Sequence, residues 1–349
     1  MLYIIIAILI FGLLIIIHEL GHFAVAKACG ICVEEFSVGM GPAIVQKTSG
    51  ETTYSLRCIP FGGYCAMTGE DGESDDPRAF VNQSVWKKLL VLCAGSFMNF
   101  ILGFVMVLLV YSGAKAFTAP IISDFMDGCP YNSADGLNVN DRFYKIDGHR
   151  IYLTSDITEY LDKSASHNII VIRDGGKVTL ENYAMERREY SESEDKLYGF
   201  YLGYDEASPA VRLSNAKNTT FEFVRWVWAG LGELFSGNAS VNDLSGPVGI
   251  VDMMAQTGEQ AQSTADGVLD VLYFGAFIAV NLAVMNMLPI PALDGGRVFT
   301  LLVSWPIEKI TGKKINPKIE TYIHAAGMIV LLAFMAFVMF NDIWKLLKG

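Results

Sequence analysis

The chain has 349 residues, of which 52% are hydrophobic, and its mean hydropathy is +0.35. This composition is too apolar for an ordinary soluble domain, and the net charge of −11 argues against a nucleic-acid-binding surface. The apolar residues come in blocks, so we expect an α-helical polytopic membrane protein.

Four apolar runs are long enough to span, or nearly span, about 30 Å of hydrocarbon. They cover residues 2–28, 89–111, 271–293 and 325–340. The first run lacks the basic amino-terminal region of a signal peptide, so we expect it to be a retained helix. The sequence therefore predicts about four transmembrane helices.

The first run ends in His18-Glu19-Leu20-Gly21-His22. A helix places positions i and i+4 on one face, so His18 and His22 can hold one metal ion together. Glu19 lies about 100° round the helix from His18, where it is better placed to move a proton than to bind the metal. The alternative is a metal-free histidine pair, but in so apolar a helix its desolvation cost would be uncompensated.

The third metal ligand has two candidates among the residues on the same side of the membrane. Asp294 follows the third run in a segment rich in proline and glycine, and His324 begins the fourth run. An acid at membrane depth is functional by default, which favours Asp294. The two remaining histidines lie in the polar middle segment and cannot reach.

The segment between the first two runs predicts a β-hairpin over residues 36–64. It has period-two stretches joined by Thr48-Ser49-Gly50. An edge strand of such a hairpin could hold an extended peptide, whereas an ordinary cytoplasmic hairpin is the plainer interpretation. Four cysteines fall in the same region and suggest either packing thiols or a second zinc site: Cys29, Cys32, Cys58 and Cys65.

A long polar segment separates the second run from the third. Its strand-like stretches are 142–146, 168–173 and 178–181, with a hairpin signal at 174–177 and a short helix at 154–163. These elements predict a small α+β domain inserted between the helices. Residues 215–240 then carry many aromatic side chains, which suits either an interfacial helix or a buried soluble one.

The expected membrane topology brings Asp294 close to His18 and His22. With four spans, the first and third run in the same direction, so Asp294 is expected near the two histidines. The short loops on that face are rich in basic residues, which mark the cytoplasmic side. Those residues are Lys47, Arg57, Arg78, Lys87, Lys88, Lys309, Lys313, Lys314 and Lys318.

The paired motifs HELGH and Asn286-Met287-Leu288-Pro289-Ile290-Pro291-Ala292-Leu293-Asp294-Gly295-Gly296 closely resemble those of the site-2 intramembrane metalloproteases. The segments 245–250 (SGPVGI) and 36–42 (FSVGMGP) are similar to further stretches of that family. The segment from Ala134 to Gly148 is similar to a PDZ domain, although Asn140-Asp141 stands where Gly-Asp is usual. The resemblance covers nearly the whole chain.

The resemblance implies one Zn²⁺ ion held by His18, His22 and Asp294, with Glu19 as the general base. It also implies substrate-binding roles for Asn286, Pro289, Pro291, Gly39, Met40 and Gly41. The expected organisation is a membrane region over 1–113, an extracytoplasmic PDZ domain over 114–206, interfacial linker helices over 207–265 and a second membrane region over 266–349.

The implied function is regulated intramembrane proteolysis at a bacterial inner or plasma membrane. The enzyme would cut a peptide bond inside the transmembrane segment of a pre-trimmed single-pass protein, such as an anti-sigma factor or a signal peptide remnant. One alternative is a catalytically inactive scaffold that gathers partners through its PDZ domain. Another is a metal transporter, which would need more intramembrane ligands than these helices offer.

Overall fold

The computed structural model describes residues 1–70, 72–133, 135–191, 193–237, 245–312 and 317–348. The chain divides into two compact units, each with its own core. The helical unit contains Met1–Val110 and Glu222–Gly349, and the inserted unit contains Tyr111–Phe221. Among the residues discussed above, Ala134, Lys313, Lys314 and 238–240 lie outside the described residues, as does the Lys318 side chain.

The first half of the helical unit is a helix, a pair of long strands and a second helix. A single 3-10 turn, Phe80–Asn82, precedes the second helix. The elements are α1 (Leu2–Ala28), β1 (Val33–Ser49), β2 (Thr52–Met67) and α2 (Val85–Tyr111). The end of α1, the hairpin base and α2 share a buried core that includes Ala26, Ile31, Val33, Met67 and Val91. This core fixes the hairpin beside the end of α1.

The predicted hairpin is confirmed, with its turn between Ser49 and Thr52, but both strands bend sharply. The register places residues 33–38 between two parts of β2, because Phe36 pairs with both Cys65 and Tyr54. Residues 43–49 pair with 52–57 on the far side. The sheet therefore consists of four segments in the order 63–67, 33–38, 52–57 and 43–49, and its two outer edges are 63–67 and 43–49.

Arg57 stabilises the bend of β1. Its guanidinium donates to the Gly41 carbonyl oxygen at 2.6 Å and to the Glu35 carboxylate at 2.7 Å. Partial burial opposes ionisation of Glu35, yet hydrogen bonds from Ser55 and Arg57 hold the pKa of this carboxyl below its ordinary value. Gly39 and Gly41 have φ values of 86° and 83°, which only glycine adopts without strain. The bend thus depends on two glycines and one cation.

The inserted unit combines antiparallel strands with one short helix, as the sequence predicts for an α+β domain. Its elements are β3 (Ala116–Phe125), β4 (Arg142–Ile146), β5 (His149–Arg150), α3 (Thr154–Leu161), β6 (Ser166–Arg173), β7 (Gly176–Ala184), β8 (Arg188–Tyr190), β9 (Ser193–Leu197) and β10 (Phe200–Glu206). The strand order of the main sheet is β10-β3-β4-β6-β7, with β5 paired to β4, while β8 and β9 pair with each other. The turn at Asp174-Gly175 joins β6 to β7 with both residues at positive φ, as expected for a tight hairpin.

Asn140 explains the departure from the Gly-Asp pattern. Its φ is 71°, in the left-handed region that glycine favours and that asparagine tolerates better than most residues. The next residue, Asp141, is fully buried, accepts a hydrogen bond from the Asn138 backbone and pairs with Arg173 at 2.7 Å. The substitution therefore preserves the turn.

The chain continues through α4 (Pro209–Phe235), α5 (Pro247–Glu259), α6 (Thr264–Asn286), α7 (Asp294–Thr311) and α8 (Pro317–Lys348). Among the described residues, four helices are long and apolar enough to cross a membrane: α1, α2, α6 and the part of α8 at Tyr322–Lys345. The third apolar run predicts a span that reaches residue 293, whereas α6 already ends at Asn286. Pro289 and Pro291 cannot continue a helix, so residues 287–293 form an irregular connection to α7.

Candidate metal and active site

Three side chains from two distant parts of the helical unit meet at one point. His18 and His22 face the same way from α1, one helical turn apart. Asp294 is the first residue of α7, placed there by the irregular connection. The Asp294 Oδ2 atom lies 3.2 Å from His18 Nε2 and 3.3 Å from His22 Nε2, and the two ring nitrogens are 3.2 Å apart.

The spacing of these atoms fits a tetrahedral zinc ion. Bonds of about 2.0–2.1 Å at tetrahedral angles separate neighbouring ligand atoms by about 3.3 Å. The Asp294 Oδ2 atom is shielded from solvent, and its polar neighbours among the described residues are the two Nε2 atoms, so its charge has no backbone or hydroxyl donor. The donor set, two imidazoles and a carboxylate, leaves a fourth position for water, as catalytic zinc sites do.

His22 is held in the form that a metal ligand needs. Its Nδ1 atom lies 2.8 Å from the Val91 carbonyl oxygen, which can only accept, so the proton is on Nδ1. The lone pair of the neutral ring is then on Nε2, facing His18 and Asp294.

The helices α1 and α2 approach closely beside the two histidines because small residues of each helix face each other there. A Cβ on Gly21 would lie 2.5 Å from the Ala94 carbonyl oxygen, and a Cβ on Gly95 would overlap the rings of His18 and His22. Gly95 therefore provides the space that the imidazoles occupy. Small residues serve the same purpose at other helix contacts in membranes.

Glu19 is half-buried next to the triad, against the hairpin. A Cβ on Gly63 of β2 would lie 3.3 Å from Glu19 Cγ and 3.5 Å from Ile15. The edge segment 63–67 therefore passes close to the Glu19 side chain at Gly63.

An ion pair connects the segment after the hairpin to the helix that bears Asp294. Glu70 lies three residues beyond the end of β2, and its carboxylate accepts from Arg297, one turn into α7. Because Arg297 and Asp294 belong to the same first turns of α7, the pair ties the hairpin to the position of the third ligand.

His324, the rival third ligand, has a different partner. Its Nδ1 atom accepts a hydrogen bond from the Ala292 backbone at 3.2 Å. Ala292 itself has a φ of 81°, an uncommon conformation for a residue with a side chain. The geometry thus gives His324 a role in holding the irregular connection, while Asp294 faces the two histidines.

The residues expected to bind substrate lie in three parts of the chain: the end of α6, the connection that follows it and the bend of β1. Asn286 is the last residue of α6, and Pro289 lies beyond it beside an apolar cavity that Met287 and Leu288 also line. Pro291 packs against Gly327 of α8. Gly39, Met40 and Gly41 form the bend of β1, where Met40 pairs with Ile59.

The cysteines do not form a second metal cluster among the described residues, where the one cluster of metal-ligating type is His18, His22 and Asp294. Burial raises the pKa of the Cys65 thiol to about 12, which suits a packing role in the core below the hairpin.

Sequence reasoning missed the contribution of α2. Val91, Gly95 and Asn99 lie at i, i+4 and i+8 and present one face of the helix to the two histidines. A buried asparagine within a hydrophobic span is itself a signal, because an amide is costly in hydrocarbon.

An imidazole pair and a carboxylate beside a second carboxylate, built on apolar helices, is the arrangement of a membrane-embedded metallohydrolase. Comparison with known proteins agrees with this class. The model of peptidase family M50 matches residues 6–334. The chain is 35% identical to a protein of Clostridium acetobutylicum assigned as a zinc metalloprotease, over 97% of each chain.

More distant relatives are of the same kind. The zinc metalloprotease RasP of Bacillus licheniformis is 28% identical over 97% of this chain and 98% of its own. The Bacillus subtilis protein named regulator of sigma-W protease RasP is 26% identical over 97% of both.

The chain belongs to peptidase family M50, the site-2 protease family. It is a multi-pass membrane protein and a zinc metalloprotease of the site-2 type, with zinc as its cofactor.

The third-ligand assignment predicts different metal contents for two variants. Asp294→Ala removes the oxygen that faces both Nε2 atoms, so the purified protein should lose most of its zinc. His324→Ala removes only a hydrogen-bond acceptor of the connection and should keep it. Metal analysis of both proteins after dialysis decides, and retention in the first with loss in the second would reverse the assignment.

Proposed function

We propose that this protein hydrolyses a peptide bond within the transmembrane segment of a membrane protein substrate. The observation that carries the proposal is the triad of His18, His22 and Asp294, whose two histidines lie with Glu19 on α1, a helix long and apolar enough to cross the bilayer. The inactive-scaffold alternative would be favoured by loss of Glu19 or Asp294, and both are present.

The roles of the side chains follow from their positions. His18, His22 and Asp294 would hold the zinc ion through Nε2, Nε2 and Oδ2. Zinc, when bound, acts as a Lewis acid and lowers the pKa of a coordinated water to about 7. The Glu19 carboxylate would take a proton from the attacking water and deliver it to the nitrogen of the leaving amine.

Replacing Glu19 by Gln tests this division of roles. The amide keeps the shape but cannot carry the proton, so the cleavage rate should fall by about 10²- to 10⁴-fold while the zinc content stays unchanged. The measurements are cleavage of a model transmembrane peptide in detergent and metal analysis of the same sample. Near wild-type cleavage would refute the base, and loss of zinc would make Glu19 a ligand instead.

The proposed substrates are single-pass membrane proteins already trimmed by another protease, such as an anti-sigma factor or a signal peptide remnant. The Bacillus subtilis relative supports the first of these, because its name connects it to the regulation of sigma-W. A trimmed and an untrimmed form of one such protein, compared in the same assay, would test the requirement. Equal cleavage of both would contradict it.

We infer an inner or plasma membrane location, with the active site towards the cytoplasm and the inserted unit outside. The basic residues of the loops on the triad's side support this orientation. In the structure Cys58 is exposed on the hairpin. A membrane-impermeant maleimide should therefore label it in inverted vesicles and not in intact cells. Labelling only in intact cells would reverse the orientation.

The hairpin is proposed to hold the substrate as an added strand. A helical substrate hides its peptide bonds in internal hydrogen bonds, and pairing with a sheet edge would keep it extended. Edge 63–67 is the candidate, since it passes against Glu19. Gly39, Met40 and Gly41 at the bend, and Asn286, Pro289 and Pro291 at and after the end of α6, are proposed to contact the extended chain.

Photo-crosslinking distinguishes the two edges without altering the sheet. A photoreactive residue beside the scissile bond of a model peptide, bound to the Glu19→Gln enzyme, should form adducts with residues 63–67. The edge 43–49, equally part of the sheet, is the matched internal control. Adducts confined to 43–49, or none on the hairpin, would rule out strand addition at this edge.

The inserted unit is proposed to be a PDZ domain that excludes substrates with large extracytoplasmic parts. Its size, its sequence pattern and its position in the chain between the second and third spans support this proposal. The competing role is to grip the carboxyl end left by trimming.

Deletion of residues 118–205 separates these roles. A filter predicts that the deleted enzyme cuts untrimmed substrates that the full chain rejects. A gripping role predicts slower cleavage of trimmed substrates, with untrimmed ones still rejected. The readout is the cleavage rate of both substrates by zinc-loaded enzyme. If the deletion changes neither rate, both roles are excluded.

A further inference from the structure

His18 and His22 depend on different groups for their tautomers. A neutral imidazole that binds a metal through Nε2 carries its proton on Nδ1, and a shielded N–H needs an acceptor. For His22 that acceptor is the Val91 carbonyl oxygen at 2.8 Å. For His18 the group facing Nδ1 is a side chain, the amide of Asn99, with its Nδ2 atom 3.4 Å away.

Asn99 is buried, with 1% of its surface exposed, and its Oδ1 atom makes no hydrogen bond. The amide therefore presents its donor to His18 and leaves its acceptor unsatisfied. A half-turn about the last side-chain bond exchanges the two atoms and points Oδ1 at His18 Nδ1. That exchange gives the buried oxygen a donor and the imidazole N–H an acceptor in one step.

We propose that Asn99 is a positioning residue of the metal centre, whose Oδ1 accepts a hydrogen bond from His18 Nδ1–H and thereby keeps the lone pair of His18 on Nε2. The inference rests on His18 being a metal ligand, as in the proposed function.

Three variants of full-length enzyme in detergent test the proposal by zinc affinity, measured by competition with a chelator. Asn99→Leu keeps the approximate shape without any hydrogen bond and should bind zinc about 10- to 100-fold more weakly, the usual effect of losing an outer partner. Asn99→Asp offers only acceptors and should bind zinc at least as tightly as wild type. Ser96→Ala, a neighbouring buried residue of α2 with an unpartnered hydroxyl, is the control and should bind as wild type.

The Asn99→Asp variant tests whether residue 99 accepts a hydrogen bond from His18 even if Asn99→Leu does not fold. If the amide donated to His18 in the loaded enzyme, a carboxylate there would face a lone pair, and Asn99→Asp would bind zinc more weakly, overturning the proposal. Wild-type affinity in a folded Asn99→Leu would also overturn it. His18→Ala separates this failure from that of the proposed function: retained zinc there would refute the ligand assignment itself.

Discussion

The structure depends on the cost of placing two imidazoles and a carboxylate where water is scarce. Each of these groups is expensive to bury alone, and the carboxylate above all requires a compensating positive charge. Bringing Nε2, Nε2 and Oδ2 within 3.2–3.3 Å of one another solves the problem only if a cation completes the set. The remaining elements of the helical unit can be understood as the means of holding three atoms at that spacing.

Each element supplies one part of that support. α1 carries both histidines and Glu19, and α2 supplies the carbonyl of Val91, the space at Gly95 and the amide of Asn99. The prolines between α6 and α7 end one helix so that the next can begin with Asp294. Gly63 of the hairpin lies close to Glu19, and the ion pair of Glu70 with Arg297 links the segment after the hairpin to α7. If any one of these parts moved independently of the others, the spacing of the three ligand atoms would change.

Much of this was readable from the sequence, for definite reasons. The i, i+4 histidines and the four apolar runs follow from helical periodicity and bilayer thickness, which are local properties. The two hairpin turns follow from glycine-containing turn signals, and the strands of the inserted unit follow from strand-like stretches on either side of them. The double pairing of residues 33–38 could not be read, because register in a bent sheet depends on contacts across the chain. Asn99 was missed for a similar reason, since only the packing of α2 on α1 shows which ring it faces.

The order of segments in the hairpin makes its two edges chemically unequal. The outer edge 43–49 includes Lys47 among polar neighbours, whereas residues 59–67 contain no charged side chain. A lysine on an open edge discourages pairing with another chain, which is how β-proteins avoid association and aggregation. The edge 63–67 is shielded in a different way, because Cys65 and Met67 are buried in the core beside the end of α1. A second copy of the protein is therefore discouraged from pairing at 43–49 by charge and at 63–67 by burial, so neither border invites aggregation when a cell overproduces the protein.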